Sequence, residues 1–179
     1  MDILETAMQE INGVLEKVSR TELDAAVGFI QSGRRIFVDG EGRSGLMAKG
    51  FAMRLMHLNY TVFVTGETIT PALKKDDVFI AVSGSGESGG VVADTRKAAA
   101  AGCRVLAVTG KPGSTLASLA SCVLTVPGTV KGDAGSGRAS VQLLSSLFDQ
   151  CLHITLDAVC WLVSRRDGLS NEKATQNHW

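Results

Sequence analysis

The sequence carries no surplus of charge: eighteen lysines and arginines balance eighteen aspartates and glutamates, for a formal charge of zero. A nucleic-acid or anionic-membrane partner would call for a basic surplus or cluster, and neither is present. The start, Met1-Asp2-Ile3-Leu4-Glu5, lacks both the basic region and the apolar stretch of a secretory signal. No apolar run is read as reaching the ~20 residues that a bilayer requires. The four cysteines, Cys103, Cys122, Cys151 and Cys160, are scattered without a C-x-x-C pair. That argues against a zinc site or a disulfide framework, and for buried, reduced thiols in a cytoplasmic protein. Linkers, low-complexity runs and repeats are missing too. Residues 1–179 therefore read as one domain, with opening helices to 33, an α/β core over 34–164 and a polar tail over 165–179.

What is present is an ordinary globular composition, 45% hydrophobic and 20% charged, enough to bury a core. Ile3, Leu4, Met8, Ile11, Val14, Leu15 and Val18 recur at helical spacing, so residues 2–18 are predicted to open the chain as an amphipathic helix. Thr21 and Asp24 resemble the cap of a second helix running to Gly33. Short apolar runs at 35–40, 60–66, 77–84, 104–110 and 122–127 read as five strands. Helices are expected at 44–58, 89–102, about 114–120 and about 140–164, with a glycine-rich loop over 128–138. The strands are continuously apolar rather than alternating, as in a parallel sheet covered on both faces. The fold class is thus α/β, a doubly wound three-layer sandwich around a five-stranded parallel sheet.

Two of these strands end in loops of one design, "DGEGRSG" (39–45) and "SGSGESGG" (83–90), each running into a helix. Ligands of open α/β sheets bind outside the carboxyl ends of the strands. Amide groups at a helix start hold phosphate there, and glycines let the backbone approach it. The hydroxyls of Ser83, Ser85 and Ser88 suit a terminal phosphoryl group. Gly40-x-Gly42-x-x-Gly45 also satisfies a dinucleotide fingerprint, with Glu67 as its acidic partner, although two hydroxyl-rich loops fit a monophosphate better. A P-loop is excluded because no G-K-[ST] follows the glycines. The bland alternative is a pair of flexible turns.

"SGSGES" resembles the serine-rich phosphate loop of sugar isomerase (SIS) domains. "GEGRSGLMAKGFAMRLMHL", "GETITPALKKDD" and "IAVSGSGES" are similar to the 6-phospho-3-hexuloisomerases within that family, and the likeness runs from the opening helices to about residue 164. The G-E-T-x-T-P stretch separates this branch from other SIS proteins. The sequence holds no ligand cluster of metal type, so no metal is expected. The resemblance implies a cofactor-free interconversion of 3-hexulose 6-phosphate and fructose 6-phosphate, the second step of formaldehyde fixation by the ribulose monophosphate route. It also implies a tetramer with active sites between subunits. The implied phosphate ligands are Ser83, Ser85 and Ser88 with Ser44, beside the loop backbone at Gly42 and Gly84. Two places depart from the family pattern. Asp149 stands where relatives carry glutamate, and the tail "QNHW" replaces an Arg-His ending, so His178 matches loosely. Rival readings are another SIS isomerase, of arabinose 5-phosphate or heptose type, and a non-catalytic sugar-phosphate sensor. Such sensors usually carry a helix-turn-helix domain, for which this chain has no room.

Moving a carbonyl from C3 to C2 requires a base near both carbons and an electrophile for the developing oxyanion. Glu67 and Asp149 lead as the base. Glu67 has the better address, directly after a strand, and is narrowly preferred. Its bland role is a turn or a pairing with Lys74 or Lys75. Asp149 has the better environment, since an unpaired carboxylate in an apolar helix is costly. Arg43 and Arg54 are candidates for the phosphate or oxyanion, against the common case of a solvated or ion-paired arginine. His57 near its helix end either takes part or serves the helix dipole. His153 reads as a core or interface histidine. His178 needs a docked tail, expected on a neighbouring subunit. The helix over 140–164 is apolar on more than one face, which predicts a homo-oligomer.

Overall fold

The computed structural model describes residues 2–179, and its strands follow the continuous apolar runs. Ile36–Gly40 (β1), Val62–Val64 (β2), Val78–Ser83 (β3), Arg104–Thr109 (β4) and Cys122–Thr125 (β5) form one parallel sheet in the order β2-β1-β3-β4-β5. β1 lies in register with β3 from Ile36 beside Val78 to Gly40 beside Val82. β3 and β4 are buried almost along their whole length, as parallel strands covered on both faces must be.

Alternation along each strand sends side chains to two separate cores. Val38, Ile80, Val82 and Val108 face a layer made by helices Ile3–Leu15 (α1), Arg20–Phe29 (α2), Gly42–His57 (α3) and Ser146–Arg166 (α6). Phe37, Phe79, Ala81 and Ala107 face Gly89–Ala100 (α4) and Thr115–Ser118 (α5) on the other side. This is the expected doubly wound three-layer α/β sandwich. The topological switch lies between β1 and β3, so the two glycine loops that leave them share one crevice. Gly45 sets how closely the first loop packs: a Cβ there would stand 2.5 Å from the Gly40 carbonyl oxygen.

Several boundaries differ from the sequence expectation, each for a local reason. The cap of α2 is Ser19, whose Oγ accepts from the Glu22 amide at 3.3 Å, rather than Thr21. Residues 140–145 are not helical. Their polar groups bond elsewhere, Ser140 Oγ and the Val141 amide each donating to Glu10 of α1 at 2.8 Å. By length and composition the 21-residue α6 could cross a membrane, contrary to the expectation that no run is long enough. It is instead a core helix: 56% of its apolar window is buried, with Phe148 and Leu152 inaccessible to solvent. Burying side chains of that size contributes ~1.5–3 kcal/mol each. The tail forms a short helix, Asn171–Gln176 (α7), and docks on its own chain. Asn177 Nδ2 donates to the His57 carbonyl at 3.0 Å, and the His178 ring stacks on His57 at 5.2 Å.

Candidate active site at the carboxyl edge of the sheet

The crevice at the switch point opens into a cavity of about 420 Å³. Gly42, Arg43 and Ser44 line one side, Gly84, Ser85 and Ser88 another, and Lys131, Ser145, Ser146 and Asp149 a third. Three helices, α3, α4 and α6, begin at this cavity, and none has a side-chain hydrogen bond capping its first turn. The helices that begin elsewhere, α1, α2, α5 and α7, are all side-chain capped. The open amide donors and dipole ends of α3 and α4 therefore face the same space as the serine hydroxyls, an arrangement that suits an anion with several acceptor oxygens.

Asp149 lies in the first turn of α6 and is 2% exposed. Ser44 Oγ donates to its Oδ1 at 2.6 Å, and Arg43 Nε lies 3.9 Å from its Oδ2. Burial pushes the Asp149 carboxyl above the ordinary aspartate value, and the Ser44 hydroxyl and Arg43 guanidinium only partly oppose it. Arg43 itself is half exposed, and its Nη1 donates to Ser146 Oγ at 2.9 Å. The Asp149 and Glu41 carboxylates, the Arg43 guanidinium and a set of hydroxyls thus line a single space. Such a set can move a proton and stabilise a neighbouring oxyanion.

The sequence-predicted residues divide into two groups. Gly42, Arg43, Ser44, Gly84, Ser85, Ser88 and Asp149 meet in the cavity. Ser83 does not line it. It is 2% exposed, shares a 2.9 Å hydrogen bond with Ser88 Oγ and accepts from the Gly86 amide at 3.1 Å, so it shapes the loop from beneath. Glu67 lies apart from this chain's cavity, because the turn after β2 carries it along the flank of α3. There Lys49 Nζ donates to it at 2.8 Å, rather than the expected Lys74 or Lys75. Arg54 lines a different cavity, with Asp157, Trp161 and Arg165. His57 is buried at the far end of α3 against His178, and desolvation together with Arg54 and His178 holds its pKa down. His153 is half exposed, facing Asp157 at 3.6 Å, instead of filling the core.

Six lining residues lie outside the sequence-predicted set: Glu41, Val130, Lys131, Leu144, Ser145 and Ser146. Ser145-Ser146 before an apolar run is a helix-start signal, which the apolar Val141, Leu143 and Leu144 just ahead of it mask in the sequence. Lys131 sits in the glycine-rich loop, and nothing local marks it.

The SIS domain family model matches residues 29–154. A Mycobacterium gastri protein named 3-hexulose-6-phosphate isomerase is 40% identical over 156 residues, covering 87% of this chain and 78% of the relative. A Bacillus subtilis protein of the same name is 35% identical over 171 residues, covering 96% and 92%. Among solved structures, a hypothetical protein of Methanococcus jannaschii, from which a molecular function of 3-hexulose-6-phosphate isomerase was inferred, matches with a TM-score of 0.83. It is 27% identical, with 100% of this chain and 98% of that one covered. The chain belongs to the SIS domain family, among the relatives of the 3-hexulose-6-phosphate isomerases.

Proposed function

We propose that this protein is a cofactor-free sugar-phosphate isomerase that interconverts 3-hexulose 6-phosphate and fructose 6-phosphate. The observation that carries the reading is Asp149, a buried carboxylate held by Ser44 in the same cavity that Ser85 and Ser88 line. The names of the relatives support the substrate. The corresponding place in metabolism is the second step of formaldehyde fixation by the ribulose monophosphate route, in the cytoplasm.

In this mechanism Ser85, Ser88 and the open amides of α4 take the phosphate on C6. That group does no chemistry, and its binding energy positions C2 and C3. Asp149 removes the C2 proton, the electron pair moves toward the C3 carbonyl, and an enediolate forms. Arg43 stabilises the oxyanion. The proton is then delivered to C3 as the carbonyl forms at C2, with the hydroxyl proton passing between the two oxygens. Burial favours this role, because a raised carboxyl pKa lies closer to the operating pH. An aspartate is one methylene shorter than glutamate, and the Ser44 hydrogen bond fixes where its carboxylate stands.

The protein acts as a homotetramer in this reading. Exposed Leu46 and Met53 on α3 and Trp161 on α6 supply apolar surface for assembly. Glu67, Arg54, His57 and His178 lie outside this cavity and would enter the chemistry only at a site shared between subunits. The test is turnover of 3-hexulose 6-phosphate beside arabinose 5-phosphate, with deuterium uptake from solvent followed by NMR. Turnover and uptake with the hexulose, lost at least a hundredfold in Asp149→Asn, support the reading. Tight binding without turnover would establish a sensor instead.

A further inference from the structure

The segment from Lys131 to Ser145 forms a strap whose two ends line the cavity, Lys131 at one and Leu144 and Ser145 at the other. Apolar burial does not hold it down: Val141, Leu143 and Leu144 are 70%, 79% and 64% exposed. Near its first end Lys111 Nζ donates to Asp133 Oδ1 at 2.7 Å, and over residues 140–142 the strap is held by a single carboxylate. Glu10, on α1 and outside the cavity, accepts from Ser140 Oγ at 2.8 Å, the Val141 amide at 2.8 Å and Gln142 Nε2 at 3.1 Å. Within the strap, Arg138 donates to the carbonyls of Gln142 and Leu144, and Ser145 Oγ accepts from the Lys131 amide at 3.0 Å. Ser146 follows and accepts from Arg43. Burial pushes the Glu10 carboxyl up, yet the donors from Val141, Ser140 and Gln142, with Arg138 nearby, hold it below its ordinary value.

From this geometry we infer that Glu10 is a positioning residue for the isomerase reaction. It fastens the strap from the outside, and the strap in turn places Lys131, Ser145 and Ser146 around the substrate and supports Arg43. The first helix is then part of the active-site apparatus and more than a cover for α6. The inference rests on the proposed function for its kinetic part alone.

Three variants separate the possibilities. Glu10→Ala removes the attachment at a helical position that alanine suits. Glu10→Gln keeps an acceptor for the Val141 amide. Ser140→Ala removes one of the three donors. The measurements are tryptic cleavage after Lys131 and Arg138 followed by mass spectrometry, affinity for inorganic phosphate, and KM and kcat for fructose 6-phosphate. In Glu10→Ala cleavage in the strap should quicken roughly tenfold and KM rise by a similar factor, with kcat changed less than about threefold. Glu10→Gln and Ser140→Ala should fall between it and the parent protein. Unchanged strap cleavage and unchanged KM would overturn the inference. So would cleavage quickened equally at sites far from the strap, such as after Lys97, since that reports general loosening. If the parent protein turns over no sugar, the proposed function fails, while strap cleavage and phosphate affinity still decide the role of Glu10.

Discussion

Replacing Asp39 by asparagine should stabilise the protein at neutral pH, and the structure sets the size of the effect. Asp39 is the next-to-last residue of β1, is 8% exposed, and leaves its Oδ2 without a hydrogen-bond partner. Burial, reinforced by the carboxylates of Asp94 and Glu41, raises its pKa from 3.8 to about 6, against the Gly40 amide and Lys97. A group whose folded pKa is raised contributes stability that is full below the unfolded value and is lost as pH rises through the folded one. Here the loss begins above pH 3.8 and is complete above about pH 6. The gap corresponds to about 3 kcal/mol, of which about 1.4 kcal/mol is lost between about pH 5 and about pH 8. The asparagine carries no charge through that range. Its amide meets the same dry surroundings and gives back about 1–2 kcal/mol, so the net gain near pH 8 is about 1–2 kcal/mol. Urea unfolding followed by circular dichroism at the two pH values, on both proteins, measures it. A stability difference between D39N and the parent that is the same at both pH values would refute the argument, because it would mean that Asp39 does not titrate differently in the folded state.

Ser85→Ala should lower the affinity for phosphorylated sugars roughly ten- to a hundredfold, as for one hydrogen bond to a charged group, while an unphosphorylated analogue loses nothing; calorimetry on both ligands distinguishes these. In steady-state kinetics Asp149→Asn should lose far more kcat than Glu67→Gln, whose carboxylate pairs with Lys49 in this chain; the opposite order moves the base to a site completed by a neighbour. Gly86→Ala should cost about 2–4 kcal/mol in denaturant unfolding, because φ is +69° and the added Cβ would meet Ser114 Oγ at 2.0 Å. Light scattering should give about four times the 18.8 kDa protomer mass, and a stable monomer at micromolar concentration would remove the assembly argument.

The five strands, their parallel arrangement and the position of both glycine loops were legible in the sequence, because strands covered on two faces must be apolar throughout and their exits must be small. Ser44, Ser85 and Ser88 were legible for the same reason, each sitting in or beside a glycine loop that ends a strand. Contacts between residues far apart in the chain were not. Nothing near residue 140 says that Glu10, about 130 positions earlier, takes the bonds that a helix would otherwise have used. Glu67 follows a strand as the pattern demanded, yet the turn swings it onto Lys49. His178 looked like part of a loose tail until His57 gave its ring a partner. Asp149 was visible as a misplaced charge in an apolar helix, but only the packing of α6 against α3 shows that the charge meets Ser44 and Arg43. Periodicity and glycine report what each segment buries and how it turns. Which polar groups share a space is set by how the layers close, since a hydrogen bond needs its partner within about 3 Å whatever the distance along the chain.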